Sequence, residues 1–242
     1  MSPVLPYSVG SPRPTRTSDI EVLATGFGPF RGIEKNPSYE IVSRLPDSIS
    51  SDTDDAPTIR VRKLPEPIKV SYSSVAQLVP KLYSTFPAAK YFVHIGVHGS
   101  IHRCRLERKA KKGPYTKQDV DGRTFSDVFG DEDGLWEGGP EAIDSQVNVD
   151  AIVERMMGRG DGWDIEVSDD PGLYLCEFIY YSSLFAAQRF EKDGRSLRGI
   201  FVHVPPYLDP DALDKERDTV VQVIREMVKE GEEGNGSPHK DS

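Results

Sequence analysis

The sequence predicts a single three-layer α/β/α domain, with a mainly parallel, twisted sheet and helices on both faces. Three observations carry this. Short β-type apolar runs alternate with helix-period segments from residue 19 to residue 229. Two runs, KYFVHIGV at 90–97 and GIFVHV at 199–204, are almost continuously apolar, as strands are when both faces are covered. No internal repeat and no Pro/Gly/Ser linker separates two cores, and 242 residues suffice for one large domain.

The elements follow in order. Residues 1–18 are rich in Pro, Ser and Arg and are expected to be a disordered tail. The first strand is 19–25 (DIEVLAT), running into the turn GFGPFRG with its two phenylalanines. Asn36-Pro37-Ser38 is a helix start signal, with a short amphipathic helix continuing over 39–45. Residues 46–57 (PDSISSDTDDAP) read as an acidic solvated loop, and 58–64 (TIRVRKL) as the second strand. Helical spacing over 72–83 turns Val75, Leu78, Val79 and Leu82 to one face.

After the strand at 90–97, residues 104–107 read as a short strand and 108–139 as a long loop. The acidic, Gly-flanked part of that loop, 127–139, has the length of a cover over a cleft. A helix is expected over 141–157, with Ile143, Val147, Ala151, Ile152 and Met156 inward. A strand at 163–167, a turn at 169–172 and a buried helix opening near Cys176 come next. The strand at 199–204 stops at Pro205-Pro206. A C-terminal helix at 209–229 buries Leu213, Val220, Val223, Ile224 and Met227, and 230–242 is expected to be a polar tail.

Composition narrows the function classes. A formal net charge of −9 argues against nucleic acid or an anionic membrane as partner, and the one basic cluster, 103–112, is too short to reverse that. No apolar run reaches the ~20 residues of a membrane span, and the N-terminus lacks a signal-peptide core. Two cysteines, Cys104 and Cys176, make no disulfide framework; the expected location is the reducing cytoplasm.

In wound α/β sheets working groups collect at the carboxyl ends of strands. That rule selects Phe27, Phe30, His98, Glu107, Cys176 and His203. Each has an ordinary reading: Cys176 as a packed thiol, His203 as a core histidine, Glu107 as a solvated carboxylate, and the phenylalanines as core. Together Cys176, His203 and Glu107 supply a nucleophile, a base and a carboxylate to orient the base. The start of a helix also offers Cys176 unpaired N–H groups and a positive dipole end, both favouring thiolate. His98 and His102 read as exposed loop histidines, and no spacing fits a closed metal set.

The order of ATGFGPF (24–30), NPS (36–38), HIGV (94–97), LER (106–108), GLYLCEFIYYSSL (172–184) and FVHVPP (201–206) resembles type I pyroglutamyl peptidase, over about 19–229. EGGPEAIDS and KGPY look most like its eukaryotic branch. The resemblance implies an omega-type cysteine exopeptidase acting on peptides with N-terminal pyroglutamate, with no cofactor. Cys176 would be the nucleophile, His203 the base and Glu107 its orienting carboxylate, while Phe27 and Phe30 would face the flat lactam. Asn36 is expected to cap its helix rather than touch substrate. One departure stands out: many bacterial members carry an Asn and then an Arg after the LER-like glutamate. RKAKKGPYTKQDVDG matches neither, and Lys117 is the nearest cation. Two alternatives remain open, a thiol hydrolase of shifted specificity and a non-catalytic binding domain on the same scaffold.

Overall fold

Strand β4 (Ala89–Val97) is buried on both faces and the sheet is built outward from it. The computed structural model describes residues 19–50, 57–130 and 133–235. The expected tail at 1–18, part of the acidic loop (51–56) and the last seven residues lie outside the described residues. β4 lies between β1 (Ile20–Gly26) and β9 (Arg198–Val204), parallel to both. Beyond β1 come β3 (Ile59–Lys63), parallel, and the two-residue β2 (Ser48–Ile49), antiparallel. Beyond β9 come β5 (Cys104–Glu107) and β8 (Ile165–Ser168), giving the order β2-β3-β1-β4-β9-β5-β8. β5 runs antiparallel to β9 and β8 follows β5, so one edge of the sheet is reversed. The sheet is therefore mainly parallel.

Helices α1 (Pro37–Arg44), α4 (Val149–Gly158) and α6 (Pro210–Asn235) pack together on one face. Helices α2 (Tyr72–Thr85) and α5 (Leu175–Lys192) share the other. Each face has its own core. Val93, Ile95, Val202 and Val204 point toward the first, and Leu23, Phe92 and Phe201 toward the second, the period-2 alternation of strands covered on both sides.

Local chemistry explains the starts of elements. Asn36 caps α1 by accepting from Ser38 N at 3.1 Å, with Pro37 at the first helical position. Its amide also donates to Gly28 O at 2.9 Å, fixing the loop that follows β1. Within that loop Phe30 and Ile33 exchange backbone hydrogen bonds around Arg31 (φ 45°) and Gly32 (φ 80°), the signs a tight primed turn demands.

Several sequence expectations need correction. The loop at 108–139 contains strand β6 (Lys109–Lys111), helix α3 (Phe125–Phe129) and a 3-10 helix (Asp133–Trp136). Its described part packs its rings on α5: Trp136 lies 5.2 Å from Phe178 and 4.8 Å from Tyr181 between ring centres. The helix expected over 141–157 is β7 (Ala142–Asp144), paired with β6, followed by α4, which Asn148 caps through Ala151 N. Ile143 is buried in the α5-side core but Ile152 and Met156 in the opposite one, a placement no single helix allows. In the acidic loop, Ser48–Ile49 pairs with β3 and buries Ile49. The polar tail begins later than expected. α6 runs on to Asn235 because Gly231 passes close under Tyr91, whose hydroxyl bonds Glu232 at 3.0 Å.

A Cβ at Gly26 would stand 2.7 Å from Ser38 O and 2.8 Å from Tyr39 Cα, both backbone atoms of α1. Gly26→Ala is expected to lower unfolding free energy by about 1–3 kcal/mol, the usual cost of overpacking. Chemical denaturation of the variant beside the parent checks this.

Candidate active site

Glu107 is placed by the reversed edge of the sheet. In the β5–β9 ladder Glu107 faces Phe201 and Arg105 faces His203, so Glu107 and His203 are diagonal neighbours on one face. Their side chains meet there, His203 Nδ1 and Glu107 Oε1 being 2.8 Å apart. Both are buried, at 1% and 0% exposure. Glu107 Oε2 has no protein partner, and the Glu107 carbonyl accepts from Tyr180 Oη at 2.9 Å. The solvated reading of Glu107 does not hold.

Cys176 enters from the other direction. The chain leaves β8, turns through Pro171 and Gly172 (φ +75°), and starts α5 at Leu175, so the thiol sits in the first helical turn. No side chain caps α5 at Tyr174. Cys176 is half-buried and shares with His203 the wall of one cavity of about 180 Å³. Gly96, opposite His203 on β4, makes room: a Cβ there would lie 2.9 Å from Cys176 Sγ and 2.6 Å from Phe201 Cζ. Sequence reading passed over Gly96, although a glycine interrupting a buried apolar strand is the signal of close approach.

The same cavity is lined by Phe27 and Phe30, with Val70, Val97 and Tyr174 adding apolar surface. Phe27 also belongs to the α5-side core, so for this side chain packing and cavity lining coincide. Its amide donates to Ser38 Oγ at 2.9 Å, tying the loop to α1. Asn36 both lines the cavity and caps α1. Two further side chains line the cavity, and of these only His98 departs from expectation. His98 is half-buried with its ring edge-on to His203 at 5.4 Å, and burial pushes its imidazole below the usual range. Lys117 reaches the cavity on a loop held by Tyr72 Oη and Tyr174 Oη, which donate to Lys117 O and Gln118 O at 3.0 Å each. By contrast His102 is exposed and bonds Tyr207 Oη at 2.7 Å.

The ionisation of the thiol is set against expectation. Burial first, and then the negative charge of Glu107, pushes Cys176 up to about 12. Its own backbone N–H and the charge of Lys117 pull the other way and are outweighed. The resting group is therefore a thiol, and it becomes nucleophilic only where a base can take its proton.

Another polar chain escaped sequence reading. His94, wholly buried in β4, is bonded to Thr25 Oγ1 at 2.7 Å through Nδ1 and to Ser183 Oγ at 2.8 Å through Nε2. It links β1, β4 and the thiol-bearing helix, and burial pushes its pKa down to about 3. The basic cluster at 103–112 is matched by acids: Arg103 with Asp164, Arg105 with Glu166, Arg108 and Lys109 with Asp169, and Lys111 with Asp170. It forms no free basic stripe. Among the described residues no three His, Cys, Asp or Glu side chains group as metal ligands, and no helix is long and apolar enough to cross a membrane.

A thiol, an imidazole and a buried carboxylate gathered on one wound α/β sheet are the components of a cysteine-type hydrolase. Comparison with known proteins narrows this. Residues 20–231 match the pyroglutamyl peptidase family. Pyroglutamyl-peptidase 1 of Mus musculus is 33% identical over 215 residues, covering 89% of this chain and 93% of that protein. The pyrrolidone-carboxylate peptidase of Thermococcus onnurineus is 32% identical over 217 residues, covering 87% and 98%. A solved pyrrolidone carboxyl peptidase, from Fervidobacterium islandicum, aligns with a TM-score of 0.69 at 26% identity, over 88% of this chain and 99% of that one. The chain belongs to the pyroglutamyl peptidase family, as the sequence motifs imply.

Gly96→Ala is expected to drive Cys176 away from His203 and to slow alkylation of the thiol by iodoacetamide on the order of tenfold or more. Mass spectrometry of residue 176 over time reads this out, with a melting curve to score the separate clash with Phe201.

Proposed function

We propose that this chain is a cysteine exopeptidase that removes an N-terminal pyroglutamyl residue from small peptides, with Cys176 as nucleophile, His203 as general base and acid, and Glu107 as the orienting carboxylate. The observation that carries the reading is the buried 2.8 Å contact of His203 Nδ1 with Glu107, behind a cavity whose wall His203 shares with the Cys176 thiol. With Nδ1–H donating to the carboxylate, Nε2 is the free acceptor on the ring.

His203 Nε2 takes the Sγ proton as sulfur bonds to the carbonyl carbon joining pyroglutamate to the rest of the peptide. The carbon–nitrogen bond then breaks as Nε2–H protonates the departing amine. Water attacks the resulting thioester, gives its proton to Nε2, and the returning proton restores the thiol as pyroglutamate leaves. Negative charge on the carbonyl oxygen is met by first-turn N–H groups of the uncapped α5 and by the Lys117 ammonium beside the thiol.

The size and lining of the cavity support the substrate class. A slot of about 180 Å³ walled by Phe27 and Phe30 suits a small flat uncharged ring. A free α-amino group placed there would lose its hydration without a carboxylate aimed at it, which disfavours ordinary N-termini.

A fluorogenic L-pyroglutamyl amide, offered beside the matching prolyl amide, tests the assignment. Turnover of the pyroglutamyl compound alone is expected, falling by roughly 10³-fold or more in Cys176→Ala and by roughly 10²–10⁴-fold in Glu107→Gln. Equal turnover of the prolyl amide would shift the specificity elsewhere, and no turnover by folded reduced protein would make the chain a binding domain. His203→Gln is further expected to slow iodoacetamide capture of Cys176 at neutral pH, because a thiol at about 12 has lost its proton acceptor.

A further inference from the structure

Glu177 follows the thiol directly and has no part in the scheme above. Its side chain is wholly buried in the first turn of α5. Oε1 accepts from Lys111 N, the last residue of β6, at 2.9 Å, while Oε2 has no protein partner. Lys111 is held twice more: its carbonyl accepts from the buried Tyr115 Oη at 2.6 Å, and its ammonium lies 3.3 Å from Asp170 in the turn leading to α5. Six residues further on stands Lys117, in the cavity beside the thiol. A carboxyl buried with one oxygen unpaired is costly, and an apolar residue would serve helix packing better.

We propose that Glu177 is a positioning residue, whose carboxyl fastens the β6–β7 hairpin to the first turn of α5 and so fixes where Lys117 stands relative to the Cys176 thiol. The inference rests on the cysteine-nucleophile reading. It has a consequence for pH, because the carboxyl is also a charge one residue from the sulfur. The groups facing it are Glu107 from β5, Lys111 from β6, Asp170 from the preceding turn, Tyr115 from the loop after β6, and Cys176 on its own helix. Burial raises Glu177 to about 7, with Asp170 and Glu107 adding to that and the Lys111 amide and ammonium opposing it. As pH rises through neutrality a negative charge therefore appears beside the sulfur and disfavours thiolate. The same shift acts on stability. A carboxyl whose folded pKa is raised contributes fully below its ordinary 4.5 and loses that contribution as pH rises through about 7.

The test uses the full chain with Glu177→Gln and Glu177→Leu. Its readouts are alkylation of residue 176 by iodoacetamide from pH 5 to 9, kcat and KM on the pyroglutamyl amide, and melting temperature against pH. Glu177→Gln keeps an acceptor for Lys111 N and removes the charge. It is expected to keep KM, to alkylate up to roughly tenfold faster above pH 7, equivalent to a thiol pKa lower by about one unit, and to gain stability on the parent between pH 4.5 and 7. Glu177→Leu removes the tether, and kcat/KM is expected to fall on the order of 10- to 100-fold. Glu177→Gln with the parent's alkylation profile at every pH, or folded Glu177→Leu with the parent's kcat/KM, overturns the proposal. If Glu177→Leu does not fold, Glu177→Ala, which likewise removes the acceptor for Lys111 N, is read in its place with the same expected fall in kcat/KM. Turnover surviving in Cys176→Ala would instead sink the nucleophile reading, which the alkylation profile does not depend on.

Discussion

The pairing of Glu107 with His203 is the constraint around which the rest is arranged. A carboxylate with no exposure and one unpaired oxygen is expensive, and removing its partner would leave the cost uncompensated. The pair is held by backbone rather than by side-chain packing alone. β5 reverses against β9, the ladder sets the two residues diagonal on one face, and Tyr180 from α5 bonds the Glu107 carbonyl. A one-residue slip of β5 would turn Glu107 to the opposite face.

The thiol is brought to that pair by contacts on the α5 side of the sheet. Gly96 lets α5 come close, His94 bonds Ser183 across the same interface, and the aromatic cluster of Trp136, Phe178 and Tyr181 clamps the helix from outside. Rings in such edge and tilted contacts add about 0.5–1.5 kcal/mol a pair beyond their burial. The described residues of 125–136 thus brace α5 one turn beyond Cys176 and do not line the cavity.

Burial and the proposed chemistry pull in opposite directions at the sulfur. Taking the thiol out of water holds it protonated, which the uncapped helix start and Lys117 only partly offset. Under the proposed scheme the proton moves to a ring whose positive charge Glu107 is already placed to receive. The cost of burying that carboxylate is recovered when the imidazolium forms. Apolar walls at Phe27 and Phe30 strengthen each of these interactions by excluding water.

Read alone, the chain of residues specified the element types with a strong period and the identity of the candidate reactive groups. β4, β9, α2 and the apolar stripe of α6 were legible because 2.0 and 3.6 residue repeats are local, and the Cys176, His203 and Glu107 motifs were legible as residue types in order. Periodicity counts buried positions but does not say which core receives them, which is why Ile143 and Ile152 read as one helix and belong to opposite faces. The 3-10 turn, β6 and β7 were illegible for a related reason: short segments owe their form to α5 and to each other. The reversal of β5, the close approach at Gly96, the burial that keeps Cys176 protonated and the entry of His98 into the cavity came from packing between distant segments. Each depends on distances between residues far apart in the chain, and sequence spacing carries no such distances.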